Sequence, residues 1–306
     1  MIRVILLLGM VLCVPCRAEI EYTTVTGGGN VPLTVATAGT PDNPAIVFIH
    51  GLGQSHYSFF KQLESDLAAE FFLVAFDLRG HGASGKPYEP AAYTQYSMWA
   101  NDVAAVIAAT GARRPVIVGW SYGTLVAMDY VRQFGTSEIA GISLTGALGA
   151  LLPFGMPSAD EDPNVAEFAR VRKLQMSPDP RDRVAASEAM VRFLTSAPVP
   201  EAEQQVLQAV TMMFPNYARQ AMYSRPQDNQ DLLAQLTLPV LLQLGADDNP
   251  AMLEDAADGL AARANFTLSV YAGAGHSVFY EQPERFNNEL RQFAAAAQRS
   301  FVGHTE

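Results

Sequence analysis

Gly119-Trp120-Ser121-Tyr122-Gly123 is the stretch on which the reading of this chain turns. Before it stands Pro115-Val116-Ile117-Val118, a short apolar run of strand character. After it, Thr124 to Phe134 has helical spacing and is closed by Gly135. A Gly-x-Ser-x-Gly set between strand and helix forces a turn so sharp that the serine backbone is strained and its hydroxyl stands clear. Glycine at 119 and 123 lets strand and helix approach where a Cβ would clash.

Working outward, the same strand-then-helix rhythm repeats. Residues 20 to 26 alternate apolar and polar, Gly27-Gly28-Gly29-Asn30 makes a turn, and Val31 to Ala38 alternates again, which predicts an edge hairpin. Ala45-Ile46-Val47-Phe48-Ile49 is continuously apolar, the pattern of a strand buried on both faces of a parallel sheet. It runs into His50-Gly51-Leu52-Gly53-Gln54-Ser55, followed by helical spacing over Tyr57 to Ala69. Phe72 to Phe76 is the next strand, and Ser97 to Ala109 an alanine-rich helix ended by Gly111. Such alternation predicts an α/β class with a mostly parallel sheet, right-handed crossovers and helices on both faces.

Ile139 to Leu144 reads as one more strand, and after Gly149 the pattern changes. Residues 151–235 hold many prolines, short amphipathic stretches and six of the chain's eleven methionines, with no convincing strand. We read them as a helical lid inserted into a core formed by 19–150 and 236–306. Methionine fills irregular gaps, so the lid's apolar residues either pack the lid itself or line an adaptable pocket. The pocket candidates are Trp120, Phe154, Met213, Phe214 and Tyr217. Strand character returns at Pro239 to Leu244, leading into Gly245-Ala246-Asp247-Asp248. A helix over Met252 to Arg263, a strand over Asn265 to Tyr271, the loop Ala272-Gly273-Ala274-Gly275-His276-Ser277 and a helix from Pro283 to Gln298 complete the chain.

Composition narrows the function. Of 306 residues 49% are hydrophobic and 17% charged, which marks a globular chain. The net charge of −11 and the lack of any Lys/Arg cluster argue against nucleic acid and anionic membrane surfaces as partners. Residues 1–18 have their own logic: Arg3 is a positive start, Val4 to Val14 an apolar stretch too short to span a bilayer comfortably, and Cys16-Arg17-Ala18 a small-residue cleavage site before Glu19. They read as a signal peptide, with a retained anchor or a buried strand as alternatives. Export to a periplasm or medium follows, with no stable membrane partner after cleavage. Both cysteines, Cys13 and Cys16, lie in this segment, so the mature chain would have neither disulfide nor thiol chemistry. No metal cluster or phosphate loop stands out, and no cofactor or metal is expected.

A serine hydroxyl needs a base within hydrogen-bond reach, and the base needs an acid to orient it. His50 and His81 sit in loops at strand ends, His56 follows the first of these, and His304 lies in the terminal tail. His276, in a glycine-flanked loop after the last strand, is the histidine that can be brought over Ser121. The acid is then expected at the end of the preceding strand, where Asp247 and Asp248 compete; we favour Asp248.

These segments together resemble the α/β-hydrolase fold, over about Ala45 to Phe293 and most weakly across the lid. His50-Gly51-Leu52-Gly53-Gln54-Ser55 is similar to the family's oxyanion loop, and Asp77-Leu78-Arg79-Gly80-His81-Gly82-Ala83-Ser84-Gly85-Lys86-Pro87 to its strand-end turn. Gly245-x-x-Asp248 and Gly275-His276 are similar to its acid and base segments. Gly119-Trp120-Ser121-Tyr122-Gly123 with Gln54-Ser55 resembles the branch of small esterases that includes cofactor-free haloperoxidases; Thr124 departs from the glycine many relatives carry there. The resemblance implies a serine hydrolase that cleaves a carboxylic ester, lactone or thioester of a small to medium apolar substrate through an acyl-enzyme, with backbone N–H groups of Leu52 and Tyr122 as oxyanion donors. Perhydrolysis, acyl transfer and carbon–carbon cleavage by the same triad are alternatives, as is a fold kept only for binding. His50 and His81 are expected to be structural, and Arg79 to pair with a carboxylate.

Overall fold

The computed structural model describes residues 19–153, 160 and 163–302. The signal-peptide reading of 1–18 and the pocket candidate Phe154 therefore lie outside the described residues. Eight strands form one sheet: β1 (Ile20–Thr26), β2 (Pro32–Ala38), β3 (Ala45–Ile49), β4 (Phe72–Phe76), β5 (Val116–Trp120), β6 (Gly141–Thr145), β7 (Val240–Gly245) and β8 (Phe266–Tyr271). Their order is β1-β2-β4-β3-β5-β6-β7-β8. β1 and β2 pair antiparallel as the edge hairpin, β2 meets β4 antiparallel, and all other pairs are parallel.

The apolar runs fill both faces. Along β3, Val47 and Ile49 join the cluster that holds Val74, Ile117, Ile142 and Val126, while Ile46 and Phe48 join the opposite one with Leu73, Val118, Phe286 and Leu290. Helices α1 (Tyr96–Thr110) and α2 (Tyr122–Phe134) supply the first cluster's cover; the closing helix Pro283–Val302 covers the second. Period-2 alternation inside a wholly apolar strand thus serves two cores at once.

The chain goes from β3 outward to β4 and returns to the other side of β3 as β5. Where strand order reverses in this way, the loops at the carboxyl ends of the two central strands diverge and leave a crevice. The loop after β3 carries Gly51 and Leu52, and the loop after β5 carries Ser121.

Between β6 and β7 the described residues contain no strand. They form α3 (Pro163–Gln175), α4 (Pro180–Arg192), α5 (Glu201–Met212) and α6 (Asn216–Tyr223). Two expected helices differ in detail. The stretch over Tyr57 to Ala69 is broken into a 3₁₀ turn, His56–Phe59, and two short helical turns, Phe60–Leu63 and Leu67–Glu70. The Ser65 hydroxyl causes the break: it donates to the Gln62 carbonyl at 2.7 Å and accepts from Leu67 N–H at 3.2 Å. The helix expected over Met252 to Arg263 starts at Pro250, capped by the Asn249 side chain, and widens into a π-turn over Ala256–Leu260.

Candidate active site

Ser121 has φ +53° and ψ −118°, a backbone conformation that L residues avoid. It is held there from several sides. Ser121 N–H donates to Thr145 O at 2.9 Å, and its own carbonyl accepts from Thr124 N–H at 3.0 Å and Thr124 Oγ1 at 2.6 Å. The flanking glycines are obligatory: a Cβ on Gly123 would lie 2.1 Å from Ile49 O, and one on Gly119 2.6 Å from Gly123 O. The loop after β3 comes equally close, since a Cβ on Gly51 would sit 3.1 Å from Ser121 Cβ.

The loops after β7 and β8 interlock. A Cβ on Gly245 would lie 2.0 Å from Gly275 O, and Asp247 N–H donates to Ala274 O at 3.0 Å. This brings His276 Nδ1 to 2.8 Å from Asp248 Oδ2. Asp247 faces elsewhere and accepts from Ser196 Oγ, in the segment between α4 and α5, at 2.7 Å. The backbone of His276 is fixed by Trp120 Nε1, which donates to its carbonyl at 2.9 Å. Its ring lies over the end of β6, where a Cβ on Gly146 would come within 3.2 Å of Nδ1. Burial draws the His276 imidazole toward neutrality; the charge and hydrogen bond of Asp248 more than offset this, so its pKa stands above the ordinary histidine value. The Ser121 hydroxyl makes no hydrogen bond to the imidazole among the described residues. Nucleophile–base contacts are often loose without substrate.

The remaining candidates divide by environment. Tyr122 is the first residue of α2, where backbone N–H groups lack intrahelical acceptors, and Leu52 is half-buried beside Gly51. Trp120 is buried, with its ring against Phe59 and Phe279 and its one donor used on His276. Phe214 is buried and stacks on the His81 ring at 4.0 Å between centroids. Met213 is 45% exposed, and the Tyr217 hydroxyl donates to Lys86 O at 2.9 Å. His50 accepts from Leu78 N–H at Nε2, 2.9 Å, and so donates from Nδ1 to Gly51 O at 2.7 Å. Burial lowers its pKa to about 4 and keeps it neutral. His81 Nδ1 meets Arg79 O at 2.9 Å. Arg79 grips Asp102 with two bonds of 2.7 Å.

Three anchors of the site have no signal in the local sequence. The Glu281 carboxylate accepts from Gly275 N–H at 2.6 Å, and from the N–H groups of Ser196 at 2.6 Å and Ala197 at 3.2 Å, tying the His276 loop to the helical insertion. Arg225, just after α6, donates to the Tyr122 hydroxyl at 3.1 Å and pairs with Asp129 of α2, both charges buried. Burial raises Asp129 and Arg225 opposes it, leaving its pKa at about 7. Arg225→Met strands the carboxylate, and we expect a loss of about 3–5 kcal/mol in denaturant unfolding. A buried acid with a raised pKa destabilises only above its unfolded value, near 4, so the deficit shrinks as pH falls from 7 toward 4. The third anchor, Arg219, packs by the loop after β3.

Among the described residues no group of three or more His, Cys, Asp or Glu is placed to hold a metal, and no helix is long and apolar enough to cross a membrane.

The family model described as "Alpha/beta hydrolase family" matches residues 46–289. AB hydrolase superfamily protein YisY of Bacillus subtilis is 26% identical over 259 residues, 81% of this chain and 91% of that protein. Among solved structures, a Burkholderia cenocepacia protein assigned as an aryl esterase superposes with TM-score 0.80 at 31% identity, over 91% of this chain and all of the other. Esterase RhEst1 from Rhodococcus sp. ECU1013 gives TM-score 0.77 at 29% identity, over 90% and 99% of the two chains.

Proposed function

This chain belongs to the alpha/beta hydrolase family, and from that premise we propose that it is a serine esterase acting on carboxylic esters of small acyl substrates. The observation that carries the reading is the His276–Asp248 pair, 2.8 Å apart across the interlocked loops after β7 and β8, together with a serine held at φ +53° after β5. The esterase assignments of the Burkholderia and Rhodococcus structures support it.

In this reading the Ser121 hydroxyl attacks the ester carbonyl and passes its proton to His276 Nε2. Asp248 accepts from Nδ1–H, fixes the tautomer and stabilises the imidazolium. Leu52 and Tyr122 N–H groups meet the developing oxyanion. The imidazolium returns its proton to the leaving alcohol, and water, activated by His276, releases the acid from Ser121. The insertion between β6 and β7 roofs the crevice as a lid, latched at Ser196 to Asp247 and Glu281.

The test is hydrolysis of p-nitrophenyl esters of two to twelve carbons across pH. Only the neutral imidazole acts as base, so activity falls as pH drops through the His276 pKa. The midpoint is expected above 6.5, the ordinary histidine value. Asp248→Asn moves it down and lowers kcat about 10⁴-fold. A midpoint unmoved by Asp248→Asn counts against the assignment, and absence of turnover across the panel counts against the function.

A further inference from the structure

The helical insertion holds a half-open cavity of about 310 Å³ whose wall includes Gln175, Arg183, Thr211, Phe214, Asn216 and Arg219. Two arginines line it and no acidic side chain does. Arg219 is buried, yet among the described residues it has no carboxylate within ion-pair distance. Its Nε has no partner; the guanidinium bonds Thr211 O through Nη2 at 3.4 Å and the Tyr223 hydroxyl, and lies 4.6 Å over the Phe214 ring. Gln175 on the same wall is 3% exposed, and both its amide oxygen and its nitrogen lack partners. The nearby carboxylates are engaged: Asp179 with Arg181, Asp182 with Ser177 Oγ at 2.6 Å. A buried guanidinium with no carboxylate and an unpartnered Nε, beside a buried amide with no partner at all, is unfavourable in the empty protein, and an anion that accepts from both lowers the cost.

Two residues of the cavity wall, Arg219 and Thr211, pack against the loop after β3. A Cβ on Gly53 would lie 3.7 Å from Arg219 Nη1, and Gln54 Nε2 donates to Thr211 Oγ1 at 3.3 Å. From Gly53 to Gly51, which touches Ser121, is two residues, a span of at most about 7 Å.

We propose that this cavity is a carboxylate-binding subsite, in which the Arg219 and Arg183 side chains hold the free acid end of a substrate whose ester bond lies at Ser121. The guanidinium fork matches a carboxylate in two bonds. Gln175 adds an N–H donor, while its carbonyl disfavours a dianion. The substrates it selects are half-esters of dicarboxylic acids. This deepens the esterase reading and rests on it for the ester, though not for the acid.

Two measurements separate those halves. The first is kcat/KM for monomethyl esters of C4 to C8 dicarboxylic acids against methyl esters of the matching monocarboxylic acids, by proton release. The wild type should prefer the half-ester about tenfold or more, and Arg219→Met should cut that ratio about tenfold, through KM. Arg219→Lys, which keeps charge without the fork, should restore part of it, and Gln175→Leu should lower the ratio independently should Arg219→Met fail to fold. The second is calorimetric binding of adipate to the wild type and to Arg219→Met, with inorganic phosphate as competitor. Adipate should bind the wild type at least about tenfold more tightly. Adipate binding without a half-ester preference overturns the substrate's own acid as the occupant and leaves a separate organic acid. Arg219-dependent adipate binding without turnover of any ester overturns the esterase reading and keeps the subsite. A wild-type ratio at or below one with no adipate binding, or phosphate bound more tightly than adipate, overturns the proposal.

Discussion

Ser121→Ala is expected to lower kcat for p-nitrophenyl esters by about 10⁶-fold, and His276→Ala by about the same amount. The equality matters as much as the size. A hydroxyl is a weak nucleophile until a base takes its proton, and a base without the hydroxyl has nothing to activate. Each deletion therefore abolishes one concerted act, and Ser121→Ala combined with His276→Ala should be no worse than either alone. What survives, about 10³-fold over water, would come from the Leu52 and Tyr122 N–H groups and from binding. The measurement is kcat for the three variants on one ester, with circular dichroism to show that each is folded.

Gly123→Ala is expected to cost far more stability than an ordinary substitution. The added methyl would lie 2.1 Å from the Ile49 carbonyl oxygen and 2.9 Å from that of His50. Both are backbone atoms of β3 and its loop, so no side-chain rotation relieves the contact. α2 must retreat from the sheet or β3 must bend, and either opens a core that includes Val126, Ile49 and Ile117. We expect a loss of at least about 4 kcal/mol, outside the range of ordinary substitutions. At about 2–4 °C per kcal/mol for a chain of this order, the melting temperature falls by about 10 °C or more. Gly111→Ala is the contrast, since a Cβ there meets nothing within 4 Å; only its φ of +72° opposes the change.

How much of this was readable in the amino-acid order depends on the distance over which each feature is built. β3, β4, β5 and β6 are buried on both faces and so are spelled as unbroken apolar runs. The serine turn is local, its glycines set by contacts with the elements it joins. His276 and Asp248 are legible only through order, as the histidine and the aspartate at successive strand ends. Asp247 and Asp248 are adjacent and chemically identical, and only the folded loop sends one to Ser196 and the other to the imidazole. The buried Arg225–Asp129 pair joins residues 96 positions apart, and no local pattern announces it. Glu281 likewise lies in a short apolar helical turn; one of its three N–H donors is 6 residues back in the chain, but the other two lie 84 and 85 residues away. The aromatic residues near the site hold tasks that no local pattern announces: Trp120 seats His276, and Phe214 covers His81 while it lines the cavity in the helical insertion.

Covalent labelling tests the central claim most directly. Incubating the protein with a fluorophosphonate, a reagent that phosphonylates an activated serine hydroxyl, and mapping the adduct by peptide mass spectrometry asks whether Ser121 is the nucleophile. We expect one adduct per chain, on the peptide carrying Ser121, formed in step with loss of ester hydrolysis and strongly slowed in His276→Ala. An adduct on another residue, or full inactivation with Ser121 unmodified, would contradict it.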